Sequence, residues 1–233
     1  VINKLKKVLQ LIFIVIGLTS CKAQEVDGIW MSYNNRNIEE GKLTTSRDEG
    51  IIIDFDKQTM GKITADSMLQ VKIDYTKSKI LFSADSLNID FKVFGKDSIE
   101  IDFERNMIHV FRPLNLKHKL EVDKNDIVQF LTKNEFQEIN EDLSLKFRNE
   151  LHFYSTIAGD KNDQRFLESR IDTNGYWSIE ELKGNFFLIF AIEEIGEQNI
   201  YQITELTNCR MTLEPMQEYG YWIKNLTELK TCL

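Results

Sequence analysis

Residues 88–104, NIDFKVFGKDSIEIDFE, read as two short strands folded back on one another. Ile89, Phe91 and Val93 alternate with polar neighbours, then Ile99, Ile101 and Phe103 alternate with Glu100, Asp102 and Glu104. Successive side chains of a strand point to opposite faces, so each run has one apolar and one polar face. Gly95-Lys96-Asp97 between them supplies turn chemistry. The same signature recurs upstream over Gly28–Tyr33, Gly50–Phe55, Met60–Ala65, Leu69–Tyr75 and Lys79–Ser83, and downstream over Met107–Arg112. Short strands at regular spacing with tight turns predict an antiparallel meander with one buried face. Eight such strands can close into a barrel whose interior is filled or holds one small ligand.

The pattern breaks at residues 115–125, NLKHKLEVDKN, which are polar. Asn125 is placed to cap a short helix over Asp126–Lys133, with Ile127, Val128 and Leu131 at helical spacing. Strand signals resume over Leu143–Phe147, Leu151–Ile157, Tyr176–Leu182, Phe186–Ile192, Gln198–Leu206, Arg210–Glu214 and Tyr221–Leu226. Residues 88–102 and 200–214 match in pattern at a constant offset of 112: Ile89, Phe91, Phe94, Ile99 and Ile101 fall on Tyr201, Ile203, Leu206, Met211 and Leu213. The expected fold is all-β and mainly antiparallel, with two tandem meander barrels or half-barrels over 27–114 and 127–229. Residues 115–126 are read as the linker, with a short helix at the junction.

Lys+Arg 29 against Asp+Glu 37 gives a net charge of −8, which argues against a nucleic-acid partner. Lys4, Lys6 and Lys7 precede an 11-residue apolar run, Val8–Leu18, too short to span a bilayer. With Leu18-Thr19-Ser20-Cys21 after it, residues 1–20 read as a secretory signal and 21–26 as a tether. A plain signal peptide with an incidental Cys, or a buried helix, are the alternatives. Removing residues 1–20 leaves 26 basic against 37 acidic side chains, a charge of −11. Cys209 and Cys232 then remain as a bridge or as two free thiols.

Leu18-Thr19-Ser20-Cys21 resembles the lipobox of bacterial lipoproteins, which implies acylation at Cys21. Gly175-Tyr176-Trp177-Ser178-Ile179, Phe186–Phe190, Ile200–Asn208 and Met211-Thr212-Leu213 are together similar to the bacterial lipocalin-like domains of envelope lipoproteins in Bacteroidota-type bacteria. Gly28-Ile29-Trp30 is similar to the Gly-x-Trp that opens a lipocalin barrel, where the Trp packs across the closed end. The resemblance implies a membrane-anchored envelope protein, outer membrane rather than inner, with a barrel that takes a small hydrophobic ligand. The alternative is a protein-interaction or inhibitor module with solid barrels and an envelope protein as partner. Neither is an enzyme.

No catalytic motif stands out. His109, His118 and His152 lie outside metal-ligand spacing of one another, so no metal or other cofactor is expected. Asp160, Asn162 and Gln164 open a calcium-loop spacing, but Arg165 and Ile171 occupy positions that need Gly and Glu. Glu100, Asp102 and Glu104 read as a solvated outer face. Trp30, Tyr75, Phe91, Trp177, Tyr201 and Trp222 are the candidates for an aromatic-lined pocket or, alternatively, for a filled core. The polar stretch 34–49, NNRNIEEGKLTTSRDE, reads as a plain loop or a lid over a barrel mouth.

Overall fold

The computed structural model describes residues 25–37, 43–44, 50–82, 87–104, 107–136, 143–148, 152–157, 171–192, 197–217 and 226–231. The first sheet holds β1 (Ile29–Asn37), β2 (Leu43–Thr44), β3 (Ile51–Asp54), β4 (Thr59–Lys62), β5 (Leu69–Asp74), β6 (Lys79–Phe82), β7 (Asn88–Phe94), β8 (Ser98–Glu104) and β9 (Met107–Pro113). β1 pairs antiparallel with β3 on one side and with β9 on the other, so eight of these strands close into an antiparallel barrel. Trp30↔Ile53 and Ser32↔Phe111 fix its register. The opening hairpin pairs as its alternation requires, Phe91↔Ile101 and Val93↔Ile99, with Ile99 and Ile101 fully buried.

The stretch 34–49 is not one loop. β1 continues to Asn37 through a bulge at Ser32/Asn34, and β2 pairs with Asn35 and Arg36. The bulge explains why the alternation is lost in the sequence here: an extra residue resets which side chains face inward. Asn34 and Asn35 are both buried, on opposite faces of the strand.

A single described helix follows, α1 (Lys124–Lys133). Its cap is Asp123, not Asn125. Asp123 Oδ1 accepts from the Asp126 N–H (2.9 Å) and Asp126 Oδ2 accepts from the Asp123 N–H (3.1 Å). This reciprocal box satisfies two backbone donors, which a lone Asn125 cap does not. Ile127 and Leu131 are fully buried on the face that α1 turns to the second sheet.

The second sheet runs β10 (Glu135–Phe136), β11 (Leu143–Phe147), β12 (His152–Ile157), β13 (Ile171–Leu182), β14 (Asn185–Ile192), β15 (Glu197–Leu206), β16 (Arg210–Pro215) and β17 (Glu228–Lys230) in sequence order, all antiparallel. Among the described residues no pairing joins β10 to β17. β10 and β17 have no counterpart among the expected strands, and most of the expected strand 221–226 lies outside the described residues. Within the 112-offset match, Tyr201, Ile203, Met211 and Leu213 face the core of this sheet as Ile89, Phe91, Ile99 and Ile101 face the barrel core. Leu213↔Ile203 reproduces Ile101↔Phe91, but a bulge at Ile203/Glu205 then shifts the register by one residue.

Three apolar clusters result. One lies inside the barrel, and one lies between α1 and the second sheet. The third joins Ile29, Met31, Ile52 and Ile63 to Phe187, Ile189 and Ile200. It is formed by the outward faces of β1, β3, β14 and β15, so these strands are buried on both faces. This corrects the expectation of one buried face. Ile51-Ile52-Ile53 and Phe186–Phe190 are uninterrupted apolar runs, the signature of a strand covered on both sides. The residues after β9 are also held: Asn185 Nδ2 donates to Leu116 O (3.0 Å) and Gln202 Nε2 to Asn115 O (2.8 Å). A segment that reads as a polar linker is therefore fastened to the second sheet.

Candidate functional site

One end of the barrel is sealed. Two turns build it from one repeated pattern, Asp54-Phe55-Asp56-Lys57-Gln58 and Asp74-Tyr75-Thr76-Lys77-Ser78. In each, the first Asp Oδ1 accepts from the Lys N–H three residues on, at 3.0 Å and 3.1 Å. In each, the fifth residue takes a left-handed φ, 52° at Gln58 and 53° at Ser78. The aromatic second residue drops into the barrel. This pattern carries a signal readable in the sequence, an Asp three before a Lys at both strand ends. The hydroxyl of Thr76 donates to Asp74 (2.6 Å) and, ahead of the backbone donors, holds the Asp74 carboxyl below its ordinary range.

Trp30, Tyr75 and Phe91 meet at this sealed end. Trp30 packs edge-on against Phe55 (6.3 Å between ring centres), Phe55 against Phe91 (6.4 Å), and Tyr75 against Phe91 (6.3 Å). Trp30 Nε1–H donates to Asp27 O (2.9 Å), and the Tyr75 hydroxyl donates to Val26 O (2.7 Å). The Gly28 N–H donates to Asp56 Oδ1 (3.0 Å), which ties the incoming strap to the first of the two turns. These three candidates therefore fill and close the barrel base. Such edge-to-face pairs contribute about 0.5–1.5 kcal/mol each beyond the area they bury.

The opposite half of the barrel is different. Ser32, Asn35 and His109 are buried there on the inward face of β1 and β9, beside Phe103, whose ring lies 4.9 Å from that of His109. The Ser32 hydroxyl accepts from the Ile51 N–H (3.2 Å). The barrel interior thus grades from an aromatic base to a partly polar upper wall. Glu100 and Asp102 point outward, and Glu100 pairs with Arg36 at 2.9 Å.

Trp177 and Tyr201 belong to the second core, not to this interior. Trp177 packs on Phe147 at 5.5 Å, and its Nε1–H donates to Arg148 O (3.1 Å). On the same inner face Asn199 Nδ2 is buried without a hydrogen-bond acceptor. Trp222, Cys21 and Cys232, and the segment 160–164, lie outside the described residues. Cys209 is disulfide-bonded, and its carbonyl accepts from the N–H of Thr231 (2.9 Å), the residue before Cys232. The described residues hold no group of three or more His, Cys, Asp or Glu side chains arranged to take a metal ion. No described helix is long and apolar enough to cross a membrane.

Burial raises the pKa of both Tyr75 and Tyr201 above the ordinary tyrosine value. The folded state thus favours the neutral phenol. Its stabilising effect is complete below the unfolded pKa of about 10 and is lost as pH rises through the folded value. The thermal midpoint is expected to stay level to about pH 9.5 and to fall above about pH 10 on this account. Tyr201→Phe should make that fall shallower, as read by far-UV circular dichroism melts across the range; an unchanged slope would show that Tyr201 does not drive it.

A concavity lies outside the barrel, where its wall meets the β13–β14 turn. It encloses about 390 Å³ and is lined by Ile29, Ile52, Asp54, Met68, Leu182 and Lys183, with Lys57, Thr59 and Gln70 at its polar side. No residue of this groove was among the sequence candidates, because it exists only where the two sheets meet. No protein-family model, no curated protein and no solved structure matches the chain.

Proposed function

We propose that the chain is a non-enzymatic binding protein of the bacterial envelope. Acyl groups on Cys21 hold it to a membrane, the outer one in preference to the inner, and its first barrel takes one small hydrophobic ligand. The observation that carries this reading is the asymmetry of a closed eight-strand barrel, sealed by aromatics at one end and lined by Ser32, Asn35 and His109 toward the other. A barrel of this size has room for side chains or for one small molecule. The polar upper wall gives a ligand's polar end a place to be hydrogen-bonded while its apolar body faces Phe103 and the strand residues below.

The test uses the full chain carrying Cys21→Ser, exported to a periplasm. Loss of the acyl anchor is expected to move the protein from the membrane fraction to the aqueous one. Native mass spectrometry of the released protein should then show an added mass that organic extraction removes. Retention in the membrane fraction would overturn the anchor. A clean apo mass that stays apo against a lipid mixture would overturn the ligand reading and leave the solid-barrel interaction module in its place.

A further inference from the structure

We propose that the groove between the barrel wall and the β13–β14 turn is a second ligand site, separate from the barrel interior, for an amphipathic anion with a hydrocarbon body and a carboxylate head. Outward side chains on neighbouring strands build it: Ile29 on β1 and Ile52 on β3 make the apolar floor, and Asp54 on β3, Thr59 on β4 and Gln70 on β5 the polar side. Ile29 and Ile52, with Met68 and Leu182 packed beside them, are the margin of the cluster that joins the two sheets. The apolar floor is therefore continuous with a packed core and does not collapse when empty. About 390 Å³ lies within the range of small-molecule pockets.

The polar side is cationic in a protein of net charge −8. Lys183 and Gly184 form a two-residue turn with left-handed φ at both positions, 52° and 77°, between the paired residues Leu182 and Asn185. That geometry is a type I′ hairpin, and it fixes where Lys183 stands. Lys183 Nζ lies 3.6 Å from Asp54 Oδ2, whose side chain is only 5% exposed. Asp54 Oδ1 is already engaged by the Lys57 N–H. The one carboxylate of the groove is thus committed to Lys183 and to its own turn, and the Lys57 ammonium makes no ion pair among the described residues. Two ammonium groups against one carboxylate leave a net charge of +1 beside an apolar floor. Both lysines are solvent-exposed, so their attraction for an anion is screened and adds to the burial of the hydrocarbon body. A cationic amphiphile of the same length has no free carboxylate to meet.

The probes are decanoate and decyltrimethylammonium below their micelle concentrations, titrated calorimetrically into the Cys21→Ser chain. Decanoate is expected to bind at least tenfold more tightly than decyltrimethylammonium. Lys57→Gln together with Lys183→Gln should weaken decanoate at least tenfold, with far-UV circular dichroism unchanged. In methyl NMR the shifts on adding decanoate should fall on Ile52, Met68 and Leu182. Shifts confined to Val71 and Ile101 would place decanoate in the barrel, supporting the ligand reading there while overturning the groove site. Equal binding of the two probes, insensitivity to the lysine pair, or no binding of decanoate also overturns the groove site and leaves the barrel reading untouched.

Discussion

Phe187→Ala is expected to destabilise the fold by about 3–5 kcal/mol, the range for a buried aromatic truncated to alanine. Phe187 is fully buried, yet it does not face the core of its own sheet. It stands in the third cluster, against Ile29, Met31, Ile52 and Ile63 of the barrel wall. The cavity left behind lies between two sheets that each retain their own core, so the loss is expected to appear as uncoupling. Urea unfolding followed by tryptophan fluorescence and by far-UV circular dichroism should coincide in the parent chain and separate in the variant. Coincident curves with an unchanged midpoint would show that the third cluster does not hold the sheets together. Phe94→Ala makes the control: Phe94 is 51% exposed, and its loss should stay within about 0.5 kcal/mol.

Gly50→Ala has a comparable effect from a single methyl group. Gly50 sits just before β3 with φ 64°, where an alanine costs about 1–2 kcal/mol. Its added Cβ would stand 2.5 Å from Ile200 Cδ1 and 2.9 Å from Ile63 Cγ2. Both neighbours are buried in the third cluster, and the Ile63 methyl sits on its own branched Cβ, so it moves only with its rotamer or its backbone. Overpacking of this kind adds about 1–3 kcal/mol, giving a total near 2–5 kcal/mol. Ile200→Val removes the nearer methyl. In the Gly50→Ala background it should recover part of the loss, whereas alone it should cost about 0.5–1.5 kcal/mol. A purely additive double variant, measured by chemical denaturation, would mean that Gly50 and Ile200 do not meet.

The barrel strands were legible because each is short, has one apolar face and ends in a turn. Ile89, Phe91, Ile99 and Ile101 announce their direction by alternation alone, and the structure buries all four. Gly28-Ile29-Trp30 leads into β1, and Trp30 packs at the barrel base against Phe55. The aromatic candidates were only half readable. Period two says that Trp30, Tyr75 and Phe91 point inward but not whether they leave a space, and their mutual edge-on packing decided for a filled base.

The strand pattern of the barrel, its turns, the break near residue 115 and the helix face of Ile127 and Leu131 can all be read along the chain. Each of these rests on residues close in the chain, whose period and turn chemistry are local properties. Three features emerge only when the chain is folded: β1, β3, β14 and β15 are covered on both faces, the segment after β9 is fastened through Asn185 and Gln202, and Asp54 meets Lys183 across a groove. Those contacts join residues 69 to 129 positions or more apart, such as Leu116 with Asn185 and Asp54 with Lys183. No periodicity along the chain encodes such a pairing. It arises when two folded surfaces, each already apolar, are removed from water together.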